Sequence, residues 1–221
     1  MKNYRDNELK CLLIVLSALI LMFGTELLSG DVDGGGIITI AGSVLFTSVI
    51  SLSAFLLDCS VGTQLKNKLV GLFFIRLPGE KVFSRIKNDR IKDARFLLSD
   101  AKERYFSIIE KIPDGESKYK YENAKWYRIY KKYENDGSIT QSQRDYLACR
   151  DMFVTTVSFT LLYIVACTTS VLVIFSWKLI LVLGAILVLT NIAAHVKMNR
   201  FVNAVIATDI AKKLINKEDL I

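Results

Sequence analysis

The chain has 221 residues, 52% of them hydrophobic, with 29 Lys and Arg against 22 Asp and Glu, one His and four Cys. A positive mean hydropathy at this apolar content argues against an ordinary soluble domain. One histidine and four widely spaced cysteines argue against a metal site, so no metal and no cofactor are expected. The net charge of +7 suits anionic partners such as nucleic acid, nucleotides or phospholipid. A cytoplasmic loop of a membrane protein, however, is basic in any case.

Four apolar runs lie at about 12–28, 37–57, 152–175 and 179–196, each near the ~17–25 residues that a spanning helix needs. The expected fold is an all-α membrane protein: two transmembrane helical hairpins (1–58 and 152–197) flank a mainly helical basic domain (59–151), and a tail helix (198–221) follows. The central block holds 20 Lys and Arg against 13 Asp and Glu, an excess equal to the net charge of the whole chain.

Lys2, Arg5 and Lys10 precede the first run, but no small-x-small cleavage site follows Phe23, so the run is read as a span and not a signal peptide. The connector 26–36 carries Glu26, Asp31 and Asp33 and no basic residue. Positive residues stay inside, which puts both termini and the central block in the cytoplasm. Asp31 and Asp33 do not open a calcium loop, because Gly42 stands where the twelfth-position glutamate is required.

In the second run Ser43, Thr47, Ser51, Ala54 and Asp58 recur on one helical face. The face serves either close helix packing or the lining of a pore with Asp58 at its inner mouth. Asp58 carboxylates gathered around an axis need cations, or basic neighbours such as Lys66, to share the site. The apolar patch 69–75 after Lys66 and Lys68 fits the membrane surface, a buried strand or the core of the block, and Leu77-Pro78-Gly79-Glu80 ends it in a turn.

Residues 81–112 read as mainly helical, and Pro113-Asp114-Gly115 stops them. In 117–134 an aromatic stripe (Tyr119, Trp126, Tyr130, Tyr133) lies on one face, while Tyr121, Lys125, Arg128 and Lys132 lie on another. Basic residues mixed with aromatics resemble surfaces that hold single-stranded nucleic acid; the alternative is that the stripe is core and the lysines its solvated side. Arg76, Lys81, Arg85, Arg144 and Arg150 complete the candidate anion-binding set.

Asp136-Gly137 breaks the chain, and a helix from Ser138 is expected to run unbroken into the third span, able to transmit motion to the bilayer. That span is rich in hydroxyls, Thr155 among them. In the fourth, Asn191 and His195 form a polar pair at i and i+4. All three join the candidate lining; the alternatives are helix–helix bonding for the hydroxyls and a place at the membrane interface for His195, two residues from Lys197. The tail reads as an amphipathic helix through Val202, Val205, Ile206, Ile210 and Leu214. No phosphate loop, nucleophile elbow or metal-ligand spacing occurs, so no catalytic residues and no enzyme are expected.

The segments 76–83, 123–130, 144–151 and 199–205 (RLPGEKVF, NAKWYRIY, RDYLACRD, NRFVNAV) resemble a bacterial group of small four-span proteins with a mid-chain cytoplasmic domain. The architecture is similar to membrane effectors of anti-phage systems, such as the Hailong effector, which a DNA oligomer holds closed, and the Kiwa membrane subunit. The resemblance implies a homo-oligomer of the bacterial inner membrane, a tetramer by that likeness, which disrupts the membrane when triggered. Two readings follow. One is a channel-like effector gated by an oligonucleotide or nucleotide. The other is a non-conducting scaffold that docks a cytosolic partner protein.

Overall fold

The computed structural model describes residues 3–23, 36–72, 76–169 and 175–218. Side chains are described for 7–21, 41, 44, 45, 47–72, 76–169 and 175–213. The connector 26–36, apart from Gly36, and the end of the patch 69–75 fall outside them. Among the described residues the structure is helical throughout, without strands. The helices are α1 (Asn3–Phe23), α2 (Gly36–Ser60), α3 (Thr63–Val70), α4 (Val82–Lys87), α5 (Leu98–Ile109), α6 (Ser117–Tyr133), α7 (Gly137–Thr169) and α8 (Trp177–Glu218), with a 3-10 turn at Pro78–Glu80.

Among the described residues two helices, Gly137–Thr169 and Trp177–Lys213, are long and apolar enough to cross a membrane. A third span arises if Thr47–Ser60 and Thr63–Val70, bent by 107°, count as one. The chain is thus compatible with a membrane protein. It divides into two units: Met1–Val70 with Leu147–Ala194, and Gly71–Tyr146 with His195–Ile221.

The first unit is apolar. Leu16 and Ile20 of α1, Ile50 and Ala54 of α2, Phe159, Tyr163 and Ala166 of α7, and Leu179 and Leu183 of α8 form one core. Val70, Phe153, Val154 and Ala194 form a second. Outward, α2 exposes Leu45, Val49, Leu52 and Leu56, and α8 exposes Leu181, Val188, Leu189 and Ile192. So much exposed leucine and valine on long helices is the surface that lipid tails require.

The second unit is polar and built around the tail. Phe201–Ala207 is a run of seven buried residues, so this part of α8 is enclosed all round and is not an amphipathic surface helix. Its Phe201 ring meets Trp126 at 5.5 Å, Tyr130 at 5.6 Å and Tyr146 at 6.4 Å. Trp126 Nε1 donates to the Val202 carbonyl at 3.4 Å. The turn at Pro78 seats Gly79 against α6, where an added Cβ would lie 3.3 Å from Asn123 Oδ1 and from the Trp126 ring.

The expected helix 81–112 is two helices. Asp89 takes a left-handed conformation (φ 56°), and the Arg90 amide donates back to the Arg85 carbonyl at 2.8 Å. That is a C-terminal cap of Schellman type, which aspartate tolerates better than most residues. The break before α7 is as expected: Asp136 accepts from the Ser138 amide at 3.1 Å, and the helix then runs 33 residues without interruption.

Candidate functional site

Among the described residues the apolar unit contains four buried formal charges. α2 runs out at Leu56-Leu57-Asp58, and the chain turns at Val61-Gly62 before α3. The turn brings Lys66 back under the end of α2, its Nζ 2.8 Å from Asp58 Oδ1 and 3.3 Å from Asp151 Oδ1 on α7. Arg150 closes the set, with Nε 3.0 Å and Nη2 2.9 Å from Asp151 Oδ1. Its Nη1 donates to Asn67 Oδ1 at 3.4 Å.

Asp58, Lys66, Arg150 and Asp151 are each no more than 5% exposed. Two carboxylates face two cations, so the cluster is neutral overall. A buried ion set of this kind adds little net stability against an apolar replacement, yet losing one member strands a charge. What it does is fix an arrangement, tying α2, α3 and α7 together through the ammonium of a single lysine.

The candidate lining residues are placed as follows. Thr47 is buried, and Ser51 is half-buried, bonded to the Ser17 hydroxyl of α1 and donating to the Thr47 carbonyl at 3.0 Å. Ala54 lies in the core. Within one chain this face is therefore turned toward other helices. The Ser43 side chain lies outside the described residues. Thr155 is buried. Its neighbours Thr156 and Thr160 donate to the carbonyls of Met152 and Thr156, both at 2.8 Å, as hydroxyls in apolar helices commonly do. Asn191 Nδ2 donates to the Val70 carbonyl at 3.0 Å and so anchors the end of α3. His195 is half-buried, and its carbonyl accepts from Asn199 Nδ2 at 3.0 Å.

In the polar unit the two faces of α6 have different fates. Trp126 is buried, Tyr130 is stacked on it at 5.8 Å, and the Tyr133 hydroxyl donates to Asp209 Oδ1 at 3.0 Å. The aromatic stripe is core. Arg128 and Lys132 are exposed and Lys125 half-buried on the outer side, with Lys125 and Lys132 above the Tyr121 and Tyr133 rings at 5.3 and 4.9 Å.

The other candidate anion-binding residues have surroundings of their own. Arg76 pairs with Glu116 and lies over the Tyr119 ring at 4.6 Å. Arg85 Nη1 donates to Asn199 Oδ1 at 2.7 Å, and burial lowers the pKa of its guanidinium. Lys81 and Arg144 are half-buried. Arg150 belongs to the buried network of the other unit.

A second polar cluster had no signal in the sequence. Asp209 accepts from Arg104 Nε at 3.0 Å, Arg104 Nη2 at 3.1 Å and the Tyr105 hydroxyl at 2.8 Å, besides Tyr133. Burial alone would raise its pKa, but these donors more than offset it and hold the carboxyl below its ordinary value. Glu122, fully buried, accepts from the Ser84 amide at 2.9 Å and from the Ser84 hydroxyl. Both fasten helices within the polar unit. Among the described residues no group of three or more His, Cys, Asp or Glu side chains is placed to hold a metal ion.

No family model matches the chain, and no curated protein or solved structure is detectably similar to it.

Proposed function

We propose that the chain is a four-span protein of the bacterial inner membrane, with both termini and its polar unit in the cytoplasm, that assembles as a homo-oligomer and gates a leak through the bilayer. The spans are the two apolar hairpins. The signal is an anionic ligand of nucleotide or oligonucleotide chemistry, received on the outward cations of α6. The setting is anti-phage defence, on the architectural resemblance alone.

The observation that carries this reading is the neutral, buried set Asp58–Lys66–Asp151–Arg150. A cluster that contributes little net stability but holds three helices in one arrangement suits a switch, and ionisable residues buried in spanning helices are functional candidates by default. It is also reachable. α7 leaves the polar unit at Tyr146, shortly before Arg150 and Asp151, so a force on that helix arrives at the cluster along a continuous backbone. Ligand charge drawn to Lys125, Arg128 and Lys132 supplies such a force.

The scaffold reading has one observation in its favour, the burial of Thr47 and Ala54 within the single chain, which packing explains without a pore. Dye and potassium flux from proteoliposomes separates the two. The channel reading expects a short oligonucleotide to change the flux, with an effect that weakens as salt rises because phosphate contacts release counterions. Lys125→Glu/Arg128→Glu/Lys132→Glu should abolish the response, and Lys66→Ala should uncouple flux from the ligand. Membranes that stay tight with every protein, with and without ligand, refute it.

A further inference from the structure

We propose that α3 is an interfacial helix, lying in the headgroup layer of the bilayer with Leu65 and Leu69 toward the acyl chains and Lys68 among the lipid phosphates. The inference rests on the reading that the apolar unit spans a membrane, and it names the lipid surface as a specific partner of this element.

The bend comes first. α3 departs from the end of α2 at 107°, so if α2 crosses the bilayer, α3 runs nearly in its plane. Its depth is fixed by packing. Val70 lies against Phe153 and Val154 of α7 and Ala194 of α8, and its carbonyl is held by Asn191. On each of those helices the apolar sequence gives way to charge close by, at Asp151 and at Lys197. On α2 the change comes at Asp58. α3 is therefore pinned at the level where three helices pass from apolar to charged sequence, which is where headgroups lie.

The faces of α3 agree with that level. Lys66 and Val70, one turn apart, are buried toward the protein. On the other side Leu65 is 46% exposed, Leu69 is half-buried beside it, and Gln64 and Lys68 are exposed on the adjoining sector. One flank is apolar and the other polar and basic, the pattern of a helix half-sunk in an interface. Lys68 has the stem length to reach outward to phosphate while its methylenes stay in apolar surroundings.

The competing geometry, a broken span, fails on size and chemistry. α2 alone has 25 residues, about 37 Å of helix, which covers a core of about 30 Å without α3. An exposed Lys68 at mid-bilayer would leave a charge in hydrocarbon, which is strongly disfavoured. The exposed leucines of α2 continue to Leu57, close in sequence to the exposed Leu65 of α3.

The test uses nitroxide labels on single cysteines in the full chain, with Cys11, Cys59, Cys149 and Cys167 replaced by serine, in vesicles of phosphatidylcholine and phosphatidylglycerol. Labels go on Leu52, Gln64, Leu65 and Arg128, all exposed positions that a label does not crowd. Power saturation with oxygen and an aqueous nickel complex then reads depth. The expected order of nickel accessibility is Arg128, then Gln64, then Leu65, then Leu52, with Leu65 within a few ångströms of the phosphates. Leu65 as accessible as Arg128 places α3 in water and overturns the proposal. Leu65 as deep as Leu52 makes α3 part of a span and overturns it equally. A nickel-accessible Leu52 refutes the membrane reading itself, and α3 falls with it.

Discussion

Removing the Lys66 ammonium is the sharpest perturbation of the structure. At an effective dielectric of ~20, its separations of 2.8 Å from Asp58 and 3.3 Å from Asp151 correspond to gross attractions of about 6 and 5 kcal/mol. Desolvating the ammonium and its partners cancels several kcal/mol of that, leaving about 3–5 kcal/mol as the cost of deleting one member. For a chain of this length the loss lowers Tm by on the order of 10 °C.

The decisive comparison is between two variants followed by thermal unfolding in detergent. Lys66→Ala leaves Asp58 and Asp151 buried opposite Arg150 alone and should show the full loss. Lys66→Met/Asp58→Leu removes a matched pair and fills the space with apolar atoms, so it should lie within about 1 kcal/mol of wild type, because the ion pair and its apolar replacement nearly balance. Equal, small losses in both would mean that the cluster is solvated and that the reasoning fails. An equally large loss in both would mean that shape, not charge, holds α3 in place.

Three further outcomes are expected. Asp209→Asn should cost about 2–3 kcal/mol, since charged hydrogen bonds to Arg104, Tyr105 and Tyr133 weaken together. The Asp209 carboxyl sits below its ordinary value of 3.8, so its stabilisation is complete above that pH and disappears as acid brings the pH down through the folded-state value; unfolding from pH 7 to 3 should be steeper in wild type than in Asp209→Asn. Gly79→Ala should cost about 1 kcal/mol or more by Tm, because its Cβ would stand 3.3 Å from the Trp126 ring and from Asn123. Thr47→Leu should cost about 1–3 kcal/mol by overpacking a buried site, while Ser48→Leu on the exposed side of the same turn leaves Tm unchanged.

The helical class was legible because long apolar runs and the Asp136-Gly137 break are signals at the level of single segments. The expected split of α6 into an aromatic core face and a basic outer face also follows from spacing alone, and the structure places Trp126 inside and Arg128 outside. The fate of the tail was harder to see. Its apolar residues fit a helical stripe, which suggests one buried side, yet Phe201–Thr208 contains no charged residue at all. A surface helix of that length would carry charge on its far side. The missing charge was the sign that the segment is enclosed, and that the second unit joins residues 71–146 with 195–221 across the chain.

The buried network shows what such counting leaves out. Arg150 enters the inventory of the central block as a candidate anion-binding cation, and Lys66 is expected beside Asp58 only where several copies gather around an axis, with Asp151 given no part. Each of those assignments depends on where a helix bends, and the 107° turn after Ser60 is a property of α2 and α3 together. With Lys66, Arg150 and Asp151 set aside, block 59–151 keeps 18 Lys and Arg against 12 Asp and Glu, an excess of six. The positive excess of the block is therefore carried by residues outside the network, and the expected cytoplasmic placement does not rest on the network's members. The proposed site does: two of its candidate residues, Asp58 and Arg150, are neutralised inside the protein by Lys66 and Asp151, so the channel reading leaves the outward cations of α6 as the place where an anionic ligand would be received.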